Sequence, residues 1–74
     1  MNKERRKKVA NIVKDLEIVM NNLSDVLSDE EFAFDSMPEN LQGSLRGAES
    51  EEAIDNMSEA IDSLQSAYEI LENM

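Results

Sequence analysis

From Glu51 to Leu71 the chain reads Glu51-Glu52-Ala53-Ile54-Asp55-Asn56-Met57, Ser58-Glu59-Ala60-Ile61-Asp62-Ser63-Leu64, Gln65-Ser66-Ala67-Tyr68-Glu69-Ile70-Leu71. Three seven-residue units repeat the same chemistry. Ile54, Ile61 and Tyr68 hold one core position, and Met57, Leu64 and Leu71 hold a second, three residues further on. Alternating steps of three and four residues are the signature of a helix with one apolar seam. The spacing predicts a helix over about residues 48–73. Ala53, Ala60 and Ala67 form a third column beside the seam, and small side chains there let another backbone approach closely. Met74 continues the same face.

The N-terminal half carries a wider stripe. Val9, Leu16 and Leu23 fall seven apart, followed three residues later by Ile12, Val19 and Val26 and four residues later by Val13, Met20 and Leu27. Three apolar positions in seven suit a helix that touches more than one neighbour. The stripe predicts a helix over about residues 2–35. Glu30 stands where the first column calls for an apolar residue, and Ser28 with Glu31 could restart the helix as a capping box. The reading favours one continuous helix.

Residues 36–47 are the only punctuated stretch. Ser36-Met37-Pro38-Glu39 has the order of a helix start, with Ser36 as N-cap and Pro38 in the first turn. Gly43 and Gly47 can each take positive φ and end a turn. One or two short helical turns are predicted here.

Two long helices and a short helical connector make an all-α antiparallel helical hairpin, a single domain over residues 1–74. One hairpin covers only part of a three-in-seven stripe. Chains below about 80 residues without disulfide or metal usually self-associate to gain core. The expectation is therefore a homodimer, two hairpins forming a four-helix bundle. Its candidate core is Val9, Ile12, Leu16, Val19, Leu23 and Val26 from the first helix, with Ile54, Met57, Ile61, Leu64, Tyr68 and Leu71 from the second.

Composition removes several classes of function. The 74 residues include no Cys, no His and no Trp. Without Cys there is no thiolate nucleophile and no zinc–thiolate site; without His the commonest general base and metal ligand are missing. The Ser residues have no base to activate them. Asp25 to Glu31 lacks the alternating ligands and central Gly of a calcium loop, and Gly43-Ser44-Leu45-Arg46-Gly47 lacks the Lys of a phosphate loop. No enzyme activity, metal or cofactor is expected. The basic start is followed by Lys14, Asp15 and Glu17, so no signal-peptide core forms, and the expected location is cytoplasmic.

The net charge of −10 is unevenly spread. Residues 1–14 carry six basic groups against Glu4, about +5, whereas residues 15–74 carry sixteen acids against Arg46, about −15. Lys3, Arg5, Arg6, Lys7 and Lys8 form a candidate basic tip, opposing the dipole of the helix they begin. Pairing with Glu69, Glu72 and the terminal carboxylate of an antiparallel neighbour would explain it. Contact with nucleic acid would also explain it, although no interleaved aromatic supports that. The candidate acidic face comprises Asp25, Asp29, Glu30, Glu31 and Asp35 with Glu52, Asp55, Glu59, Asp62 and Glu69. Charged helix faces are ordinarily just solvated, but ordinary ones mix signs. A face of one sign can meet a basic partner or imitate a phosphate backbone.

Tyr68 shares the phase of Ile54 and Ile61 and reads as a core or rim aromatic with its hydroxyl toward water. Phe32, Phe34, Met37 and Leu41 gather at the connector, to cap the bundle's end or to offer an apolar contact.

At Phe34-Asp35-Ser36-Met37-Pro38-Glu39-Asn40-Leu41-Gln42, preceded by the basic opening and followed by the heptads, the chain resembles small acidic helical-hairpin proteins encoded by Gram-positive bacteria and their phages. The resemblance implies a phage-accessory context and supplies no activity and no functional residues. The function expected is that of a non-enzymatic protein-binding module, in that context one acting on a host protein. The alternatives are an acidic nucleic-acid mimic that inhibits a nucleic-acid-binding enzyme, such as a defence nuclease, and a nucleic-acid-binding accessory using the basic N-terminus. Direct nucleic-acid binding and membrane association are not expected from a chain this acidic.

Overall fold

A computed structural model describes residues 1–74. Helix α1 spans Lys3–Asp35, a single turn α2 spans Glu39–Gln42, and α3 spans Leu45–Glu72. There are no strands, and the two long helices pack against each other as an antiparallel hairpin.

Local chemistry sets the ends. The Asn2 side chain accepts a hydrogen bond from the Arg5 backbone N–H at 2.8 Å, satisfying one of the free donors at the start of α1. Glu4 in the first turn complements the dipole. The helix then runs without interruption through Ser28 to Asp35. At its end the structure corrects the expected role of Ser36. Ser36 is the C-cap of α1, its N–H donating to the Phe32 carbonyl at 3.0 Å, so it does not begin the next helix. Pro38 takes the N-cap position of α2 instead. Its φ of −57° and missing N–H suit the place where an unpaired donor would otherwise stand.

Neither glycine adopts the positive φ open to it. Gly43 closes α2 with φ −84°. Gly47 lies in the first turn of α3, which Ser44 caps by accepting from the Gly47 N–H at 3.5 Å, so α3 begins about three residues earlier than the heptads suggest. Gly47 is needed for proximity. A Cβ there would lie 2.7 Å from the Leu41 carbonyl oxygen and nearer still to that of Gln42. The Gln42 side chain finishes the connector, donating to the Phe34 carbonyl at 3.1 Å and the Met37 carbonyl at 3.2 Å.

On α3 the seam follows the expected phases, whereas on α1 the column four residues on from Val9 takes the place of the column three residues on. On α1, Val9, Leu16 and Leu23 and, four residues on, Val13, Met20 and Leu27 turn toward α3. On α3, Ile54, Ile61 and Tyr68 alternate with Met57, Leu64 and Leu71 in facing α1. Burial is slight, however. Met20, at 7% exposure, is the one large apolar side chain that counts as buried, and none is withdrawn from water completely. The result is a rod of 58 × 15 × 14 Å with a radius of gyration of 17.0 Å, against about 11 Å for a compact domain of this length.

Candidate interaction surfaces

Because α1 and α3 run in opposite directions, equivalent flanks of their seams fall on the same side of the rod. Glu17, Ser24 and Glu31 of α1 share one side with Glu51, Ser58, Gln65 and Glu72 of α3. Tyr68 marks this side directly, its hydroxyl donating to Glu17 Oε2 at 3.3 Å across the two helices. Hydrogen bonding with Glu72 is the main cause that pushes the phenol up to about 12, with burial and the negative charges of Glu17 and Glu72 adding to it. Two shallow grooves open on this side. One lies near the termini between Val13, Glu17, Tyr68 and Glu72, and the other near the connector, where Glu31, Asp35, Glu51 and Asp55 surround Phe34 and Ile54.

The opposite side is apolar. Ile12, Val19 and Val26 are 55%, 49% and 53% exposed, and Ala60 and Ala67 are exposed across from them on α3, with Ala53 half-buried. Nothing in the hairpin covers this column. The twelve candidate core residues therefore divide, nine into the intrachain seam and Ile12, Val19 and Val26 onto an open face.

Nine of the ten candidate acidic residues are exposed: Asp25, Asp29, Glu31 and Asp35 on α1, and Glu52, Asp55, Glu59, Asp62 and Glu69 on α3. Glu30 differs. It is half-buried in the seam and accepts a hydrogen bond from the buried Ser50 hydroxyl at 2.8 Å, so it is removed from the outward face. Ser50 falls on the phase of Met57 and Leu64, a register visible in the sequence, but no pattern in the letters marks it as the partner of Glu30.

The basic tip is exposed throughout: Lys3, Arg5, Arg6, Lys7 and Lys8. The expected ion pairs with Glu69, Glu72 or the terminal carboxylate do not form. Arg6 borders the same groove as Glu72, yet its Nε donates to the Met1 carbonyl. The lone salt bridge of the chain joins Lys8 to Glu4 at 3.9 Å, an exposed pair of the kind that contributes a few tenths of a kcal/mol. The two ends come together, but no tip cation pairs with a carboxylate of α3.

At the connector, Phe34 and Met37 are half-buried, whereas Phe32 and Leu41 are 74% and 36% exposed. The apolar cluster is thus split between capping the rod and facing water. No group of three acidic side chains converges as a metal site, and no helix is long and apolar enough to cross a membrane. Comparison of the chain with protein-family models, with curated proteins and with solved structures finds no match.

Proposed function

We propose that this chain is a non-enzymatic protein-binding module that self-associates into a four-helix bundle and presents an acidic surface to a basic partner. The observation that carries this reading is the segregation of the two long sides of the rod. One side is polar and bordered by acids, with no basic side chain from residue 15 onward except Arg46; the other is an uncovered apolar column. A surface with one sign of charge raises the encounter rate with an oppositely charged partner and disfavours like-charged ones.

Capture from a bacterial lysate, comparing wild-type protein with the combined Asp55→Lys, Asp62→Lys and Glu69→Lys variant, tests the reading. A partner held by the wild type and released both by the variant and by raised salt is the expected result. Equal recovery of that partner by both proteins would contradict it.

A more specific reading is nucleic-acid mimicry. Asp55, Asp62 and Glu69 recur at about 10.5 Å along a straight rod, a regular line of negative charge that a basic groove built for phosphates could accept. Competition between the protein and duplex DNA for the captured partner separates mimicry from ordinary docking. The exposed basic tip supports the remaining reading, a nucleic-acid-binding accessory. Changing Arg5, Arg6, Lys7 and Lys8 to Ala abolishes nucleic-acid binding in that case and leaves mimicry intact.

A further inference from the structure

We infer that the apolar face is covered by a second copy of this chain turned end for end, so that α1 lies antiparallel on α1 of that copy and each basic tip rests over the other's acidic connector end. The inference rests on the self-association proposed above and specifies its face and its direction.

The area argues for a second copy. The hairpin exposes 5696 Å², whereas a compact monomer of its mass exposes roughly 4,600 Å² and a compact dimer roughly 7,700 Å². Compaction on dimerising would therefore remove about 3,700 Å² in total, within the range of obligate homodimers. The exposed apolar column runs along the centre of the rod and is the only continuous one.

The layout of that column argues for direction. Val19 is the central residue of α1, and Ile12 and Val26 lie seven residues to either side. Two-fold symmetry allows two ways of stacking such faces. With both connectors at the same end, the column of α1 lies over the column of α3, so the two +5 tips gather at one end of the bundle and the two acidic connector ends at the other. Like charges then concentrate at each end. With the rods end for end, Val19 meets Val19 of the second copy, and Ile12 meets Val26. The flanking column on the same side then pairs Lys8 with Asp29 and Asp15 with Asn22, and no like charges oppose each other along it. This arrangement also supplies carboxylates for a tip that finds almost none within its own chain. Screening weakens the attraction in salt, but the hydrophobic contact does not depend on it.

The natural absence of Cys makes cross-linking a direct test. Sedimentation equilibrium of the wild type should give twice the 8.4 kDa chain mass. Under oxidation, Val19→Cys should cross-link to itself, because its two copies meet at the symmetry axis. Ile12→Cys alone should not, since its two copies would stand about 21 Å apart along the bundle, far beyond disulfide reach. A mixture of Ile12→Cys and Val26→Cys chains should yield the mixed dimer. Lys8→Asp should weaken dimerisation by about fivefold, and adding Asp29→Lys to the same chain should restore it, as expected for two symmetry-related exposed ion pairs. A wild-type mass of one chain would overturn self-association itself. A dimer in which Val19→Cys fails to cross-link, or in which Ile12→Cys cross-links to itself, would overturn this geometry alone.

Discussion

The Ser50 hydroxyl donates to Glu30 Oε1 at 2.8 Å, joining the two long helices through a polar pair in what is otherwise an apolar seam. A carboxylate in an apolar row is costly without a partner, and Ser50, only 5% exposed, is positioned to be that partner. Removing the hydroxyl with Ser50→Ala should destabilise the hairpin by about 1–2 kcal/mol. The double variant Glu30→Leu with Ser50→Ala should recover that loss, because both polar groups leave together. Urea unfolding followed by circular dichroism measures both; a double variant no more stable than Ser50→Ala would contradict the assignment.

The two glycines are predicted to respond in opposite directions. Gly47→Ala places a methyl against the backbone carbonyls of Leu41 and Gln42, which cannot swing aside as a side chain could. It should cost about 1–3 kcal/mol. Gly43→Ala meets nothing nearer than the Glu39 carbonyl oxygen at 4.0 Å and keeps negative φ, so it should be neutral or stabilise by up to about 1 kcal/mol. Thermal unfolding of the two variants gives the comparison.

Tyr68 is the sole tyrosine, and the chain has no Trp, so its ionisation can be followed by ultraviolet absorbance. The midpoint should lie near 12, above the ordinary 10.0, and Glu72→Gln should bring it down. The folded form holds the phenolic proton more tightly than the unfolded form. Its contribution to stability is therefore complete below pH 10 and is lost as pH rises through about 12. A titration at the ordinary value in the folded protein would remove the Glu72 and Glu17 contacts from the account.

Met20 is the most buried apolar side chain, at the middle of the seam. Met20→Ala should cost about 2–3 kcal/mol, the lower part of the usual range because so open a seam can close partly around the space. Val13→Ala, at a half-buried position one heptad earlier, should cost less. Denaturant midpoints of the two variants check the order.

Much of the hairpin can be read directly from the letters. The Glu51–Leu71 repeat and the three columns of α1 specify helical period and apolar phase, and both follow from the 3.6-residue turn. The connector is less legible. Pro38 announces a break, but whether Ser36 ends one helix or starts another depends on which carbonyl its N–H reaches, here that of Phe32. Gly47 keeps negative φ, and the closeness of residues 41 and 42 is what excludes a side chain there. A contact of that kind has no periodic trace.

The candidate surfaces divide in the same way. Net charge, its split into a basic tip and an acidic body, and the absence of Cys and His are determined by the sequence alone, because they depend only on which residues are present. The tertiary structure decided which of the three α1 columns faces α3 and which faces water. It withdrew Glu30 from the acidic face and left the tip cations without carboxylates on α3. The reason is geometric. A helix defines its own faces through its period, but only the direction and register of a second helix determine which of them is covered.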